Sequence, residues 1–440
     1  DSGGGREVLP SGLKGWRGHV MRFEALAGKT CIVATVESHT RNETMFNLLK
    51  SNQFCTKIQF NPNPVALQMI DYAFSLSRSH KTDESYSQGL LVLQQCESNQ
   101  DDANNKCLVL LAMSTLLSHR GNYVEAIAKL NNIKDMEVSS FPLRVAATEA
   151  AAGLHLELGD DDTSSVIADD CLNDLDATKQ EHGNGFGSLN ARVRSLKGLI
   201  ELVRGNADSS DSCFKGIKDK MGVGNDALSY AEFLHAIQDF STAKQLYQNV
   251  IEGVPENKDY SNPYNLAAGN MAREDIRMAA TCALGQLEAH MGNFSDAEEI
   301  LTRALTMTEE RFGSHHPKIG IILTCIALMY RHKATLEHSS SLMVQEGLYR
   351  RALELLKAPQ LETEVEQAKG YRKDIIALAR GGYAETLCVQ QNRKALGEQL
   401  KSWSKAAWKN RRLSLAEALD ISSHPSSKIP IIDARISRVL

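Results

Sequence analysis

The sequence predicts an all-α fold of repeated antiparallel helical hairpins, and three observations carry that expectation. First, residues 278–311, AATCALGQLEAHMGNFSDAEEILTRALTMTEERF, read as one two-helix unit. Within it Phe294, Ala297, Leu301 and Ala304 follow at offsets of 3, 4 and 3, the stripe a helix buries. Second, glycines fall at turn positions between helical segments: Gly121, Gly159, Gly205 and Gly292. Third, a chain with 42% hydrophobic but only 6% aromatic residues, and 10 prolines in 440, suits Ala/Leu-rich helices. A unit of about 34 residues cannot bury its apolar face alone, so its neighbours must stack on it.

Taken in order, residues 1–60 form an N-terminal segment outside the repeats. Its start is rich in Gly and polar residues and reads as disordered. Residues 29–37, KTCIVATVE, are the best strand candidate, although they equally suit a helix start. Asn61-Pro62-Asn63-Pro64 marks a break, after which the repeat array runs over 64–412. Residues 64–98 read as a divergent first unit. The next, 107–140, carries Leu110, Leu117, Gly121, Tyr123, Ala126 and Leu130. Units follow at about 145–178, 191–223, 224–257 and 278–311. In the last of these Gly285 keeps the first helix thin for its partner, and Ser295-x-x-Glu298 reads as a capping box. A further unit starts near 320, its turn lengthened by an insertion at 334–344, and a divergent last unit covers 376–410. In all, roughly seven units are expected. Residues 255–272 are a polar, Pro/Asn-rich interruption, a hinge or an ordered excursion. Residues 413–440 form a tail whose 421–440 portion begins polar and ends apolar, either docking on the last helices or staying mobile.

Gly285, Gly292, Phe294, Ala297 and Ala304 match the tetratricopeptide repeat (TPR) consensus. Residues 303–330, RALTMTEERFGSHHPKIGIILTCIALMY, resemble the linkage of kinesin-light-chain-type TPRs, with Gly313, His316 and Pro317 in the turn. The resemblance implies a right-handed α-solenoid whose first helices line a concave groove. It departs from the cargo-binding pattern, because Thr324 and Cys325 stand where Asn clamps usually sit. The carboxylate-clamp positions of chaperone-tail TPRs are likewise replaced, by residues including Leu111, Thr115, Cys282 and Gln286. As a whole the chain is similar to plant organellar TPR proteins, one of which is a mitochondrial protein linked to iron–sulfur and respiratory-chain biogenesis. That similarity implies a mitochondrial assembly or maintenance factor, with cytoplasm or plastid as alternatives.

By this register, positions 2, 5, 9 and 12 of each first helix point into the groove. The residues expected to touch a protein segment there are Arg192, Ser195, Asn225, His235, Gln286, Thr324 and Arg331. The lining is mixed and rather apolar, which suits an amphipathic or extended segment better than a charged tail. Charge is polarised elsewhere. Residues 157–181 are acidic, whereas Arg393, Lys394, Lys401, Lys405, Lys409, Arg411 and Arg412 make a basic face interleaved with Trp403 and Trp408. That pattern fits a solvated face over buried tryptophans, or a site for an acidic partner or RNA. An extended array is expected to hold the two charged zones apart.

A net charge of −5 and a pI of about 6.3 argue against a general nucleic-acid binder. No run of 18 apolar residues occurs, so no membrane span is expected. Nine scattered cysteines without a Cys-x-x-Cys pair suggest no disulfide framework, no zinc site and a reducing compartment. Arg6, Lys14, Arg17 and Arg22 among Gly and Ser resemble an organellar presequence remnant or a plain polar tail. His315-His316 and Asp160-Asp161-Asp162 lack ligand spacing, and no phosphate-cradling loop or nucleophile elbow is present. The expectation is a non-enzymatic adaptor without metal or cofactor that binds protein partners. The alternatives are a structural subunit of a large complex, such as a ribonucleoprotein, or a cytosolic cargo adaptor.

Overall fold

The computed structural model describes residues 62–136, 138–182, 187–217, 221–253, 259–266, 272–361, 371–420 and 428–440. The N-terminal segment 1–60, with its candidate strand 29–37, lies outside them. All described residues belong to one unit, Cys55–Leu440. They are 76% helical, in 17 helices with almost no strand.

Sixteen of these helices pair into eight hairpins, six inner units and the two divergent terminal ones, against the rough expectation of seven. These are α1 (Pro64–His80) with α2 (Asp83–Ser98), α3 (Ala103–His119) with α4 (Tyr123–Lys134), and α5 (Phe141–Leu158) with α6 (Asp161–His182). Then come α7 (Gly187–Val203) with α8 (Ala207–Phe214), α9 (Asn225–Ala236) with α10 (Phe240–Gly253), and α11 (Arg273–His290) with α12 (Phe294–Phe312). The last are α13 (Pro317–Leu336) with α14 (Leu342–Leu355) and α15 (Lys373–Cys388) with α16 (Lys394–Ala407). A short α17 (Leu415–Leu419) packs on α15. Each helix packs on the next, and each odd-numbered helix also packs on the next odd one.

Burial follows that order. The odd helices α3, α5, α11, α13 and α15 are buried nearly all round, as a helix with apolar residues on every face must be. Even helices bury one stripe; α12 buries Phe294, Ala297, Leu301, Ala304, Thr308 and Phe312. Gly285 makes the α11–α12 approach possible, since a Cβ there would lie 2.7 Å from Leu301 Cγ. Gly121, Gly159, Gly205 and Gly292 all hold positive φ at hairpin turns. Helix α13 is long and apolar enough to cross a membrane, but just over half of its apolar window is buried among its neighbours, as in a core helix.

Two sequence expectations are corrected here, and one open alternative is decided. Ser295 does not cap α12: the helix begins at Phe294, with Asn293 as N-cap and no side-chain cap bond. Main-chain bonds close this turn instead, Asn293 N donating to Glu288 O at 2.9 Å, while Glu298 accepts from Tyr330 Oη. The 255–272 interruption is an ordered excursion over its described part. Tyr260 packs on Phe74, and Thr115 Oγ1 donates to Leu266 O at 2.5 Å. Finally, the charged zones meet, with Arg411 3.9 Å from Asp162.

They meet because the array comes round on itself. Arg78 pairs with Glu274 at 2.9 Å, and His316 Nε2 donates to His119 O at 3.0 Å, so the first two hairpins lie against the sixth and seventh. Inside sits the tail: β1 (Ile432–Asp433) and β2 (Arg438–Val439) pair antiparallel, Ile432 opposite Val439. Ile431, Ile432, Ile436, Val439 and Leu440 are all at most 2% exposed. Burying each large aliphatic contributes roughly 1.5–3 kcal/mol. The tail is therefore part of the core and does not rest on the last helices alone.

Candidate functional site

Two places gather functional chemistry. The first is the inner face, where odd-numbered helices meet the tail. Gln286, on α11, grips the main chain of Ile432 twice: its Nε2 donates to the carbonyl at 2.9 Å, and its Oε1 accepts from the amide at 2.8 Å. Asp374 Oδ2 accepts from Val439 N at 2.8 Å and from Arg438 Nε at 3.0 Å. Arg412 Nη2 donates to the carbonyls of Ile429 and Leu440. Asn410 Nδ2 donates to Val439 O at 2.6 Å. Side chains that satisfy exposed main-chain groups in this way recognise an extended segment with little regard for its sequence.

Side-chain recognition is layered on top. Arg435 is 1% exposed and donates to Glu232, to Asp433 Oδ2 at 2.8 Å, to Ser229 Oγ at 3.2 Å and to the Asn225 side chain. Burial would pull its proton off, but the Asp433 and Glu232 carboxylates outweigh burial and hold it above its ordinary range. Burial pushes the Glu232 carboxyl well up against the opposing pull of Arg435. Arg438 spans Asp161, at 2.7 Å, and Asp374.

Against this geometry six of the seven expected groove residues make side-chain contacts within the chain, and the seventh, Ser195, is buried. Gln286 and Asn225 do face an extended segment, but it is the chain's own tail. Arg192 pairs with Glu149 at 3.0 Å and lies over the Tyr264 ring at 4.0 Å. His235 is fully buried between Tyr247 and His290, its Nε2 2.9 Å from His290 Nδ1. Thr324 is buried and donates to Gly320 O, and Ser195 is buried. Arg331 pairs with Glu385. None of the seven presents an open grip for a second protein, because the array closes around its own excursion and tail.

The basic face is also reduced. Arg412 is buried on the tail carbonyls, and Arg393 pairs with Glu346 at 2.6 Å. Lys394, Lys405, Lys409 and Arg411 remain exposed and Lys401 half-buried. Trp403 is buried with the Arg380 guanidinium 3.9 Å over its ring.

The second place is an open cleft of about 870 Å³ where the turns of the first two hairpins meet the loops of the last three. Among the described residues its cations are Lys81, Arg120, Lys357 and Arg372, against one carboxylate, Asp83. Its aromatic floor is Tyr86, Tyr123 and Phe312, each at most 8% exposed. Phe312 is sandwiched, stacked on His316 with ring centres 4.6 Å apart and edge-on to His119 at 5.1 Å. Three of the four cations hold left-handed backbone: Lys81 at φ 55°, Lys357 at φ 54° and Arg372 at φ 55°. The first two follow the ends of α1 and α14, where glycine is the usual residue, and a side chain there costs on the order of 1 kcal/mol.

The sequence singled out Gly121, Tyr123, Gly313, His315, His316 and Pro317 as turn or repeat residues, and none of the cleft's four cations. Its parts lie between residues 80 and 376 and come together only on closure, so no spacing announces them. The tail was partly visible, since residues 421–440 end apolar, although nothing marked Glu232, Asp161 and Asp374 as the partners of its Arg435 and Arg438. Among the described residues, no group of three or more His, Cys, Asp or Glu is placed to hold a metal ion. No protein-family model matches this chain, and no curated protein matches it.

Proposed function

We propose that this chain is a TPR-like right-handed α-solenoid acting as a non-enzymatic scaffold for protein partners. One observation carries the reading: the inner helices hold an extended segment by main-chain hydrogen bonds from Gln286 and Asp374. That is the grip of an array built to present a preformed, rigid surface, which lowers the ordering cost of capture. The segment held is its own, so partners dock on surface the tail leaves open. The neighbour-on-neighbour packing of eight hairpins and the glycine-dependent α11–α12 approach support the repeat assignment. The basic, Gly/Ser-rich N-terminal sequence and the similarity to plant organellar repeat proteins favour an organellar, mitochondrial assembly or maintenance role.

Affinity purification of the full chain from its native source, with mass spectrometry, tests this. Co-purification of iron–sulfur or respiratory-chain assembly proteins is the expected result. Ribosomal proteins with RNA would favour a structural subunit of a ribonucleoprotein, motor subunits a cargo adaptor, and the absence of any stoichiometric protein would overturn the scaffold reading.

A further inference from the structure

We infer that the basic cleft between the first and last hairpins is the docking site for an acidic, extended segment of a partner protein. The inference rests on the scaffold reading and names the chemistry of the partner.

Charge is the first argument. The chain carries a net charge of −5, yet among the described residues this cleft collects Lys81, Arg120, Lys357 and Arg372 against Asp83. Arg372 is paired within the chain, with the buried Glu157 at 3.4 Å, so the open positive charge rests on the other three. Arg120 stands 3.6 Å from the exposed Asp83, a weak surface pair, and Lys81 reaches only the Glu309 carbonyl at 3.4 Å. Lys357 is exposed. Such a concentration of one sign in a concave surface draws a ligand of the opposite sign.

Backbone conformation is the second. Among the described residues six non-glycine positions have positive φ, and Lys81, Lys357 and Arg372 are three of them. Glycine would relieve the strain at every one. Strained positions that bear the same charge and face the same cleft mark a functional demand on those side chains.

The floor decides between classes of anion. Tyr86, Tyr123 and Phe312 are buried at the cleft base, and Phe312 is stacked on His316. Tyr123 packs edge-on against Tyr371 with centres 5.4 Å apart. Among the described Phe and Tyr residues of the lining only Tyr371 is even half-exposed, whereas single-strand binders stack successive bases on several open rings. The floor instead suits the edge of an apolar side chain between acidic neighbours. A cleft of about 870 Å³ is also larger than a lone anion requires.

Fluorescence anisotropy of a fluorescein-labelled Glu/Asp-rich peptide with one Phe, titrated with the full chain, tests the inference. Binding is expected, weakening as salt rises. Lys81→Glu with Lys357→Glu should weaken it about tenfold or more, with an unchanged melting temperature. Lys81→Asn with Lys357→Asn, which tolerates the left-handed backbone, should weaken it without any question of strain. Binding indifferent to both variants overturns the inference, as does absence of binding. So does polyuridine RNA or inorganic phosphate that binds as tightly as the peptide and is lost in the same variants. A native partner captured by the full chain but untouched by Lys81→Glu with Lys357→Glu sinks the cleft inference and leaves the scaffold reading standing. Capture of no protein sinks the scaffold reading itself.

Discussion

Tyr123 and Ser437 donate to one and the same oxygen: Glu157 Oε1 accepts from Tyr123 Oη at 2.8 Å and from Ser437 Oγ at 2.9 Å. Arg372 Nη2 approaches that oxygen at 3.4 Å. Tyr123 and Arg372 line the cleft, while Ser437 belongs to the tail, so one buried carboxylate ties the docking surface to the segment that fills the core. Glu157→Ala leaves the Tyr123 and Ser437 hydroxyls without their acceptor, while Arg372 still donates to Tyr123 Oη, and should cost roughly 2–4 kcal/mol, read by denaturant unfolding. The same variant should lower acidic-peptide affinity by freeing Arg372 from its position. A loss of stability with unaltered affinity would separate the two roles.

Arg435 should be the most sensitive residue of the tail. Arg435→Leu strips the partner from Glu232 and Asp433 in a dry site, with an expected loss of about 3–5 kcal/mol in equilibrium unfolding. Glu232→Gln should cost less, about 1–2 kcal/mol, because an amide keeps an acceptor for the guanidinium and Asp433 remains as its counter-charge. Equal losses in the two variants would show that Asp433 alone does not hold Arg435 in place.

Gly285→Trp should destabilise the chain by roughly 3 kcal/mol or more, since even a Cβ meets Leu301 at 2.7 Å. An unchanged melting curve would refute the α11–α12 register.

His316 gives a pH prediction. Its Nδ1 accepts from Lys318 N at 3.2 Å and its Nε2 donates to His119 O at 3.0 Å, so the neutral ring is the one that caps α13. Burial pushes its pKa down to about 3, from an ordinary 6.5. The unfolded chain therefore binds this proton first. The contribution is complete above about pH 6.5 and declines by about 1.4 kcal/mol per pH unit as pH falls toward 3. His316→Asn keeps a capping acceptor and removes the titration. The stability difference between parent and variant, measured by denaturant unfolding from pH 7 to about pH 4, should shrink or reverse as pH falls. A constant difference would mean that His316 takes up its proton in the fold at the same pH as in the unfolded chain.

What the sequence made legible was local. Helical periodicity, the turn glycines and the close approach at Gly285 depend on neighbours a few tens of residues apart, and each is seen in the hairpins. Asn225 and Gln286, two of the residues expected to line the groove, do contact an extended segment, but nothing in their spacing named its occupant. The occupant came from the far end of the chain, where Arg435 and Arg438 lie in a tail expected to dock on the last helices or stay mobile. The cleft was illegible for the same reason. Lys81 and Arg372 share a wall only because the first hairpins lie against the sixth and seventh, a long-range consequence of many small inter-hairpin rotations. The eight-residue α8 and the 257-centred interruption blur the repeat further.

The central claim is that the inner face is filled by its own tail. Native-state hydrogen exchange of the Ile432, Arg435, Val439 and Leu440 amides tests it most directly. The account predicts protection equal to that of the α11 and α13 amides, released only on global unfolding. Fast exchange of these four amides, beside slow exchange in the helices, would contradict it and return the inner face to partners.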